Sequence, residues 1–426
     1  MSATYSLSDP AYWDPKDLDQ EFDRIFDLCH GCRLCFNLCP GFGDLFKKID
    51  SLRELETGGL TAEDDQRFVD LCYECKLCYP KCPYTPPHEW MIDVPRLVLR
   101  QRAVEAKRDG VSRQDRFLGD TDKVGRMGTS LAPIANAVNR NPVARAVMEN
   151  VVGVHRDRLL PLFAGERFDV WFRRAKGPDP ASLSNGKVVL FHTCSINYHD
   201  TQIGKALVRV LWHNGVEVAT CEQRCCGMPH LDGGDTENTL AAARFNIGQL
   251  LPWIEKGYTV VSPGPTCSYM LRQEYPVLLD TDDARRVSAA TMDVCEFLMK
   301  QHRAKLLDTA FKHPPEAIVY HQPCHLKAQN IGARSRDLLK LTGAAVTMID
   351  RCSGMDGTWG MKKEYFDLSL QVADRLFQGV KKAQPAVASS DCSLAALQIE
   401  QGTGIRPLHP VEVIANAYGL EVEGHR

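Results

Sequence analysis

The sequence lacks any apolar run that is long enough to cross a membrane. No stretch reaches the roughly 18 apolar residues that a spanning helix needs. Residues 1–27 are polar and acidic and have no apolar core of the kind found in signal peptides. An excess of one charge is also missing, since the net charge is −3 over 426 residues. These absences predict a cytoplasmic protein and give no argument for a nucleic-acid partner.

The sequence also lacks the motifs of a self-sufficient dehydrogenase. Gly354, Gly357 and Gly360 follow a predicted strand, but their spacing is not that of a dinucleotide-binding loop. No flavin fingerprint and no nucleophile–base triad is present. We therefore expect any two-electron oxidation of an organic substrate to take place on another subunit.

Cysteine, in contrast, is abundant: the chain has 17. In a reducing compartment such thiols bind metal or react. Eight of them form two runs of the pattern C-x2-C-x2-C-x3-C-P, which end at Pro40 and Pro83. This is the ligand spacing of a bacterial two-cluster ferredoxin, in which the fourth cysteine of each run binds the other cluster. Zinc sites usually take four ligands in pairs, so zinc fits these runs poorly.

The two runs therefore predict two [4Fe-4S] clusters with exchanged fourth ligands. We call the predicted ligands of the first cluster cysteine set one: Cys29, Cys32, Cys35 and Cys82. Those of the second cluster are cysteine set two: Cys72, Cys75, Cys78 and Cys39.

The C-terminal half contains an internal repeat. Strands are predicted at residues 188–191, 216–219 and 258–261, and again at 318–320, 345–349 and 386–388. Helical patterns alternate with these strands, which predicts two small parallel sheets. A cysteine follows each strand at a nearly constant offset between the units, which indicates a duplication.

The first unit carries a second candidate ligand group, the CCG set: Cys194, Cys225, Cys226 and Cys267. These residues follow strand ends, where the crevice of a parallel sheet lies. Gly227 permits a tight turn after the adjacent pair. Four soft ligands select an iron–sulfur cluster or zinc, and the upstream runs favour a third iron–sulfur cluster. Cys221 and Cys295 fall outside these sets and are predicted to be small buried residues.

The predicted fold class is α+β: a mainly helical two-[4Fe-4S] ferredoxin domain followed by two tandem α/β cysteine-rich domains. We expect a helical ferredoxin domain at 1–109, a helical connector at 110–185, and cysteine-rich units at 186–310 and 311–426. The connector is basic and aromatic around Phe168, Trp171, Phe172, Arg173 and Arg174. Such a segment suits a membrane surface. The favoured alternative is packing across the two domains, because no clean amphipathic stripe is visible.

The repeat resembles the duplicated cysteine-rich "CCG" domain of heterodisulfide reductase and related iron–sulfur subunits. Fused to a two-cluster ferredoxin, it is most similar to the iron–sulfur subunits of anaerobic glycerol-3-phosphate dehydrogenase and glycolate oxidase. The heterodisulfide reductase pattern has five cysteines in each unit. Here Met270 and Ala395 stand at the last of these positions in the first and second units. In the second unit, Arg351 replaces the first cysteine of the adjacent pair.

The second unit keeps three of the cysteines: Cys324, Cys352 and Cys392. We leave two alternatives open for it. It holds a fourth cluster with a further ligand such as His321 or His325, or it is a degenerate copy. Arg351 either raises the potential of a nearby cluster or forms a structural salt bridge.

The resemblance implies an electron-transfer subunit of a multi-subunit oxidoreductase. Its [4Fe-4S] clusters would accept electrons from a flavoprotein dehydrogenase and pass them to an acceptor such as quinone, with the chain peripheral on the inner face of the membrane. The alternative is a disulfide or heterodisulfide reductase whose CCG cluster performs the chemistry. The missing fifth cysteines argue against that alternative.

Overall fold

The computed structural model describes residues 6–421, so the outer ends of the first and last predicted domains lie outside the described residues. The N-terminal module is helical. Its helices are α1 (Pro15–Cys32), α2 (Pro40–Ser51), α3 (Ala62–Leu71), α4 (Cys78–Lys81) and α5 (Val94–Asp109). The Asp14 side chain caps α1, and Pro15 occupies its first turn, where proline is tolerated. Phe22, Phe26 and Phe46 fill a core below the cysteine runs.

The connector consists of five short helices. They are α6 (Arg113–Gly119), α7 (Thr121–Ser130), α8 (Ala132–Arg140), α9 (Pro142–Val152) and α10 (Phe168–Arg174). Phe168 and Trp171 are 0% and 6% exposed and pack into the core of the first unit. The hypothesis that Trp171 lies at a membrane surface is therefore wrong. Within residues 6–421, no helix is both long and apolar enough to cross a bilayer.

The first unit is a four-stranded parallel sheet in the order β2-β1-β3-β4. The strands are β1 (Lys187–Leu190), β2 (Glu217–Thr220), β3 (Thr259–Ser262) and β4 (Thr291–Asp293). The helices are α11 (Cys194–Tyr198), α12 (Thr201–His213), α13 (Met228–Asp232), α14 (Thr236–Glu255), α15 (Pro265–Tyr269), α16 (Tyr275–Leu279), α17 (Asp282–Ala290) and α18 (Val294–Arg303). Val188, Val189 and Leu190 are fully buried, as in a sheet covered by helices on both faces.

The second unit repeats this arrangement with three parallel strands in the order β6-β5-β7. These are β5 (Ala317–His321), β6 (Ala345–Ile349) and β7 (Val387–Ser390). Its helices are α19 (Cys324–Ala328), α20 (Arg334–Lys340), α21 (Phe366–Ala383), α22 (Ser393–Thr403) and α23 (Pro410–Tyr418). The shared order of the first three strands is what a duplication predicts. Strand β4 was not predicted, because three residues before a helix give no periodic signal.

The two units share a core and a buried carboxyl pair. Val411 and Ile414 of α23 pack with Leu207 of α12 in one cluster. Where β4 and β7 end, the ligand atoms of Asp293 and Asp391 lie within 4.8 Å of each other. Burial, followed by the charge of Asp391, raises the pKa of Asp293 well above its usual range.

This carboxyl pair predicts a pH-dependent stability. A raised carboxyl pKa means that the folded state binds more protons, so stability falls as pH rises from the unfolded value of about 3.9 to the folded one. Asp391, Glu296 and Cys295 face Asp293, and the Tyr320 hydroxyl donates to Asp391. Asp293→Asn keeps the helix cap but cannot ionise. We expect its anaerobic melting temperature to fall less steeply than that of wild type as the pH rises above about 4.

For one such group, the free energy of unfolding of the wild type falls by at most about 1.4 kcal/mol per pH unit. Asp280→Asn is the matched control, because that side chain is 78% exposed. Parallel melting curves for wild type and Asp293→Asn would contradict this prediction.

Candidate metal centres

Cysteine set one lines a single small cavity in the N-terminal module. Cys29 and Cys32 lie on the last turn of α1, which ends at Arg33 in a left-handed conformation. Cys82 reaches the same cavity from the end of α4, followed by Pro83. Cys32 is exposed, while burial raises the pKa of Cys35 to about 11. The four thiols therefore converge as the exchange of fourth ligands requires.

Cysteine set two lines a second cavity. Cys39 caps the start of α2, and Pro40 is the first residue of that helix. The loop between Cys72 and Cys78 winds tightly, since Glu74 and Lys76 both have positive φ angles, 54° and 62°. The Lys76 ammonium pairs with the Glu74 carboxylate, and both side chains are almost fully buried. The two charges offset each other, so the pair adds no net charge beside the four thiols, and the Glu74 carboxylate also accepts a hydrogen bond from the Cys72 thiol over 3.5 Å.

The CCG set is also brought together. Hydrogen bonds link Cys194 to Cys225, Cys225 to Cys226 and Cys226 to Cys267. The hydrogen bond to Cys225, together with burial, raises the pKa of Cys194, and the partner thiols hold that of Cys225 well below its usual range. Gly227 has a φ of 92°, which lets both adjacent thiols face one centre.

Three side chains that the sequence did not single out hold this loop. Asp122 of connector helix α7 accepts a 2.6 Å hydrogen bond from the Cys225 backbone N–H. The Tyr275 hydroxyl donates to the Cys226 carbonyl over 2.9 Å, and Asn246 donates to the Cys225 carbonyl over 3.2 Å. These residues lie 21 to 103 positions away in sequence, so no local pattern reveals them.

The cysteines of the second unit are arranged differently. Cys324 makes side-chain hydrogen bonds with Cys352 and with Cys75 of set two. The Tyr73 hydroxyl lies 3.4 Å from the Cys352 sulfur. Cys392 caps α22, and its neighbours are backbone N–H groups and carboxylates rather than these thiols. The second unit thus places two of its three thiols against the N-terminal module.

His321 and His325 already use both ring nitrogens. His321 bonds to the Ser390 hydroxyl and the Arg351 carbonyl, each over 3.1 Å. His325 donates from Nε2 to the Glu74 carbonyl over 3.0 Å, and its Nδ1 lies 2.9 Å from the Thr266 hydroxyl. Neither ring completes a ligand set here. His325 instead links the loop of set two to the residue before Cys267.

Comparison with known proteins agrees with this division. The Citrate utilization protein B Fer4-like domain matches residues 22–108, and the cysteine-rich CCG domain matches residues 188–272 and 318–400. The chain therefore contains a region similar to a Fer4-like domain, followed by two regions similar to CCG domains. The recognised resemblance and the α+β fold class are confirmed, and iron–sulfur binding follows from these domains. The predicted domain limits stay predictions.

Several curated proteins are similar to parts of this chain. One subunit of the anaerobic glycerol-3-phosphate dehydrogenase of Escherichia coli K12 is 29% identical over 305 residues, which cover 70% of this chain and 76% of that protein. Lactate utilization protein A of an Exiguobacterium species is 29% identical over 53% of this chain and 96% of its own length. The Bacillus pumilus lactate utilization protein A is 29% identical over 48% of this chain and 87% of its own length.

The CCG domains differ from the five-cysteine pattern in a consistent way. Met270, at the fifth position of the first CCG domain, is fully buried, and Ala395 of the second is 3% exposed. Arg351 is exposed and forms no ion pair with any residue between 6 and 421. The interpretation that Arg351 forms a structural salt bridge is therefore not supported among these residues. Cys295 is fully buried as predicted, whereas Cys221 is only half-buried.

Proposed function

We infer that this chain is an iron–sulfur electron-transfer subunit of a multi-subunit oxidoreductase. The observation that carries this inference is the contact between Cys75 of the Fer4-like domain and Cys324 of the second CCG domain. This contact joins set two to the second CCG domain, and His325 links the loop of set two to Thr266, the residue before Cys267 of the CCG set. The similarity to a dehydrogenase subunit supports the same function.

In this proposal each thiol set holds one cluster. Sets one and two each hold a [4Fe-4S] cluster, and the CCG set holds a third. Such clusters supply reversible one-electron transfer when bound. The protein's own residues orient the ligands, keep water away from set two and place the Lys76–Glu74 pair beside it. In this proposal the second CCG domain holds no cluster of its own, because Cys324 and Cys352 lie against Cys75 and Tyr73 of the Fer4-like domain.

A flavoprotein dehydrogenase is the proposed electron donor, and it meets the chain at set one. Cys32 is exposed there, and Leu34 and Phe36 beside it are 48% and 37% exposed. Exposed apolar side chains around a redox site suit a protein–protein contact. Quinone is the proposed acceptor. The disulfide reductase alternative has no support, because the fifth ligand position of each CCG domain carries a buried non-ligand residue, Met270 or Ala395.

The test is anaerobic purification with iron and acid-labile sulfide quantitation, followed by an EPR-monitored redox titration. We expect about twelve iron atoms per chain and several reversible one-electron signals. The isolated chain should show no dehydrogenase activity until a flavoprotein is added. Zinc without sulfide would overturn the proposal.

A membrane surface is the proposed location, through the connector helices rather than Trp171. Aliphatic side chains of α7, α8 and α9 are exposed, including Met127, Ile134, Val143 and Val151 at 63%, 63%, 74% and 71%. The basic residues Lys123, Arg126 and Arg140 lie exposed on the same helices. Apolar side chains flanked by cations fit an anionic lipid surface.

We predict that the protein sediments with anionic liposomes and that salt weakens this binding, because ions screen the attraction between arginine and lipid. Ile134→Ser combined with Val147→Ser should lower the bound fraction by about tenfold or more, since each loses buried apolar area worth about 1–2 kcal/mol. Iron content should not change. Trp171→Ala, which perturbs only the core, is the comparison. Wild type that stays in the supernatant at low salt would contradict surface binding.

A further inference from the structure

A cleft of about 520 Å³ opens beside the loop of set two. It lies where four parts of the chain meet: the Fer4-like domain, the connector and both CCG domains. Its walls include Tyr73, Arg102, Asp232, Trp359 and Tyr365. Its volume is within the range of small-molecule sites, about 300–1,000 Å³. None of the three cysteine sets lines this cleft.

One wall of the cleft is aromatic and touches set two. The rings of Trp359 and Tyr365 stack at 4.6 Å with an angle of 10°, and the Tyr73 ring lies 5.1 Å from Trp359. Tyr73 and Trp359 belong to the same packed cluster as Cys75 and Cys324. A planar ring in the cleft would therefore have an unbroken path of contacts to the thiols of set two.

Seven carboxylates and three cations line the cleft, and most of these side chains have a partner. Lys362 pairs with Asp115 at 2.6 Å, and Arg108 pairs with Asp109 at 2.7 Å. Arg102 donates to backbone carbonyls, including that of Cys72. Asp232 is the exception, since its Oδ1 is buried and has no hydrogen-bond partner among residues 6–421. Burial raises its pKa to about 7, so it carries an available proton near neutral pH.

We propose that this cleft binds the ring of a quinone and is the place where the chain reduces it. The proposal rests on the proposed function, which names quinone as the acceptor. Reduction to the hydroquinone takes up two electrons and two protons and breaks no bond to the protein. A cluster held by set two, next to Tyr73, would supply the two electrons one at a time. Asp232 gives one proton, and solvent at the cleft mouth gives the other and then reprotonates Asp232.

Binding is tested first on the full-length, oxidised protein with menadione, a naphthoquinone without a long apolar tail, by isothermal titration calorimetry. Tyr365→Leu should weaken binding by about three- to tenfold, since it removes a stacking ring. Tyr365→Phe should bind as wild type does. Tyr258→Leu is the control, because that tyrosine meets Trp253 edge-to-face at 5.0 Å, outside the cleft walls. Equal binding by wild type and Tyr365→Leu would overturn the site.

The second measurement is anaerobic stopped-flow re-oxidation of the reduced protein by menadione. Asp232→Asn should bind menadione normally but re-oxidise about a hundredfold more slowly, because proton donation by a placed acid is worth at least that factor. If Asp232→Asn and Tyr365→Leu both re-oxidise like wild type, quinone reduction occurs elsewhere and only the site is wrong. If menadione fails to re-oxidise even wild type, the quinone acceptor of the proposed function is wrong as well.

Discussion

Replacing Cys32 by alanine is expected to remove about four iron atoms per chain and to leave the cluster of set two in place. Cys32 is exposed at the end of α1, so its loss opens no cavity in the core. The remaining thiols of set one then offer three ligands instead of four. Set two does not include Cys32. Its four members, Cys39, Cys72, Cys75 and Cys78, line a cavity of their own.

The spectroscopic consequence is as large as the loss of iron. Two neighbouring reduced clusters give a magnetically coupled EPR signal, so removing one should leave a simple spectrum of an isolated centre. Cys221→Ala is the matched control, since this half-buried thiol belongs to no set. It should keep both the iron content and the coupling. A proportional loss of iron from both sets in Cys32→Ala would show that the exchange of ligands is wrong or that the module unfolds.

The sequence was sufficient for the parts of this protein that repeat a local pattern. The two runs of cysteines predicted which thiols lie together, since spacing within a loop decides which atoms can meet. In the structure the members of each set line one cavity. Six of the seven strands within residues 6–421 were expected close to their observed bounds, because each is a short apolar run before a cysteine. Strand β4 has only three residues and lacked such a signal.

What the sequence could not show depends on contacts between distant segments. Trp171 reads as an interfacial residue beside two arginines, yet its ring belongs to the core of the first CCG domain. The exposed aliphatic side chains of α7 to α9 could not be predicted from the sequence. They are spread over three short helices, each too short to show an amphipathic periodicity. His325 reads as a candidate ligand next to Cys324, but its nitrogens are used by Glu74 and Thr266.

The same tertiary contacts give the second CCG domain its distinct role. Cys324 and Cys352 do not belong to a four-thiol set within their own unit. They lie against Cys75 and Tyr73 of the Fer4-like domain instead. The duplication therefore produced two unequal products. In the proposed arrangement one unit keeps a ligand set that connector residue Asp122 helps to hold, and the other forms a wall beside set two.

This asymmetry predicts opposite results for two alanine variants. Cys226→Ala should lose about four iron atoms and the third cluster signal, because the hydrogen-bonded series from Cys194 to Cys267 is broken at its centre. Cys352→Ala should keep nearly all of its iron. It should instead shift the potential and the EPR line shape of the set two cluster, since it removes the thiol that contacts the Tyr73 hydroxyl at 3.4 Å.

Iron analysis and EPR redox titration of both variants, with Cys295→Ala as a buried control outside every set, provide the measurement. Cys295 is fully buried, so this control carries the same packing cost as a ligand variant without the loss of a ligand. Equal iron loss from Cys226→Ala and Cys352→Ala would mean that the second CCG domain holds a full cluster. The contact between Cys324 and Cys75 would then join two clusters rather than a cluster and its wall.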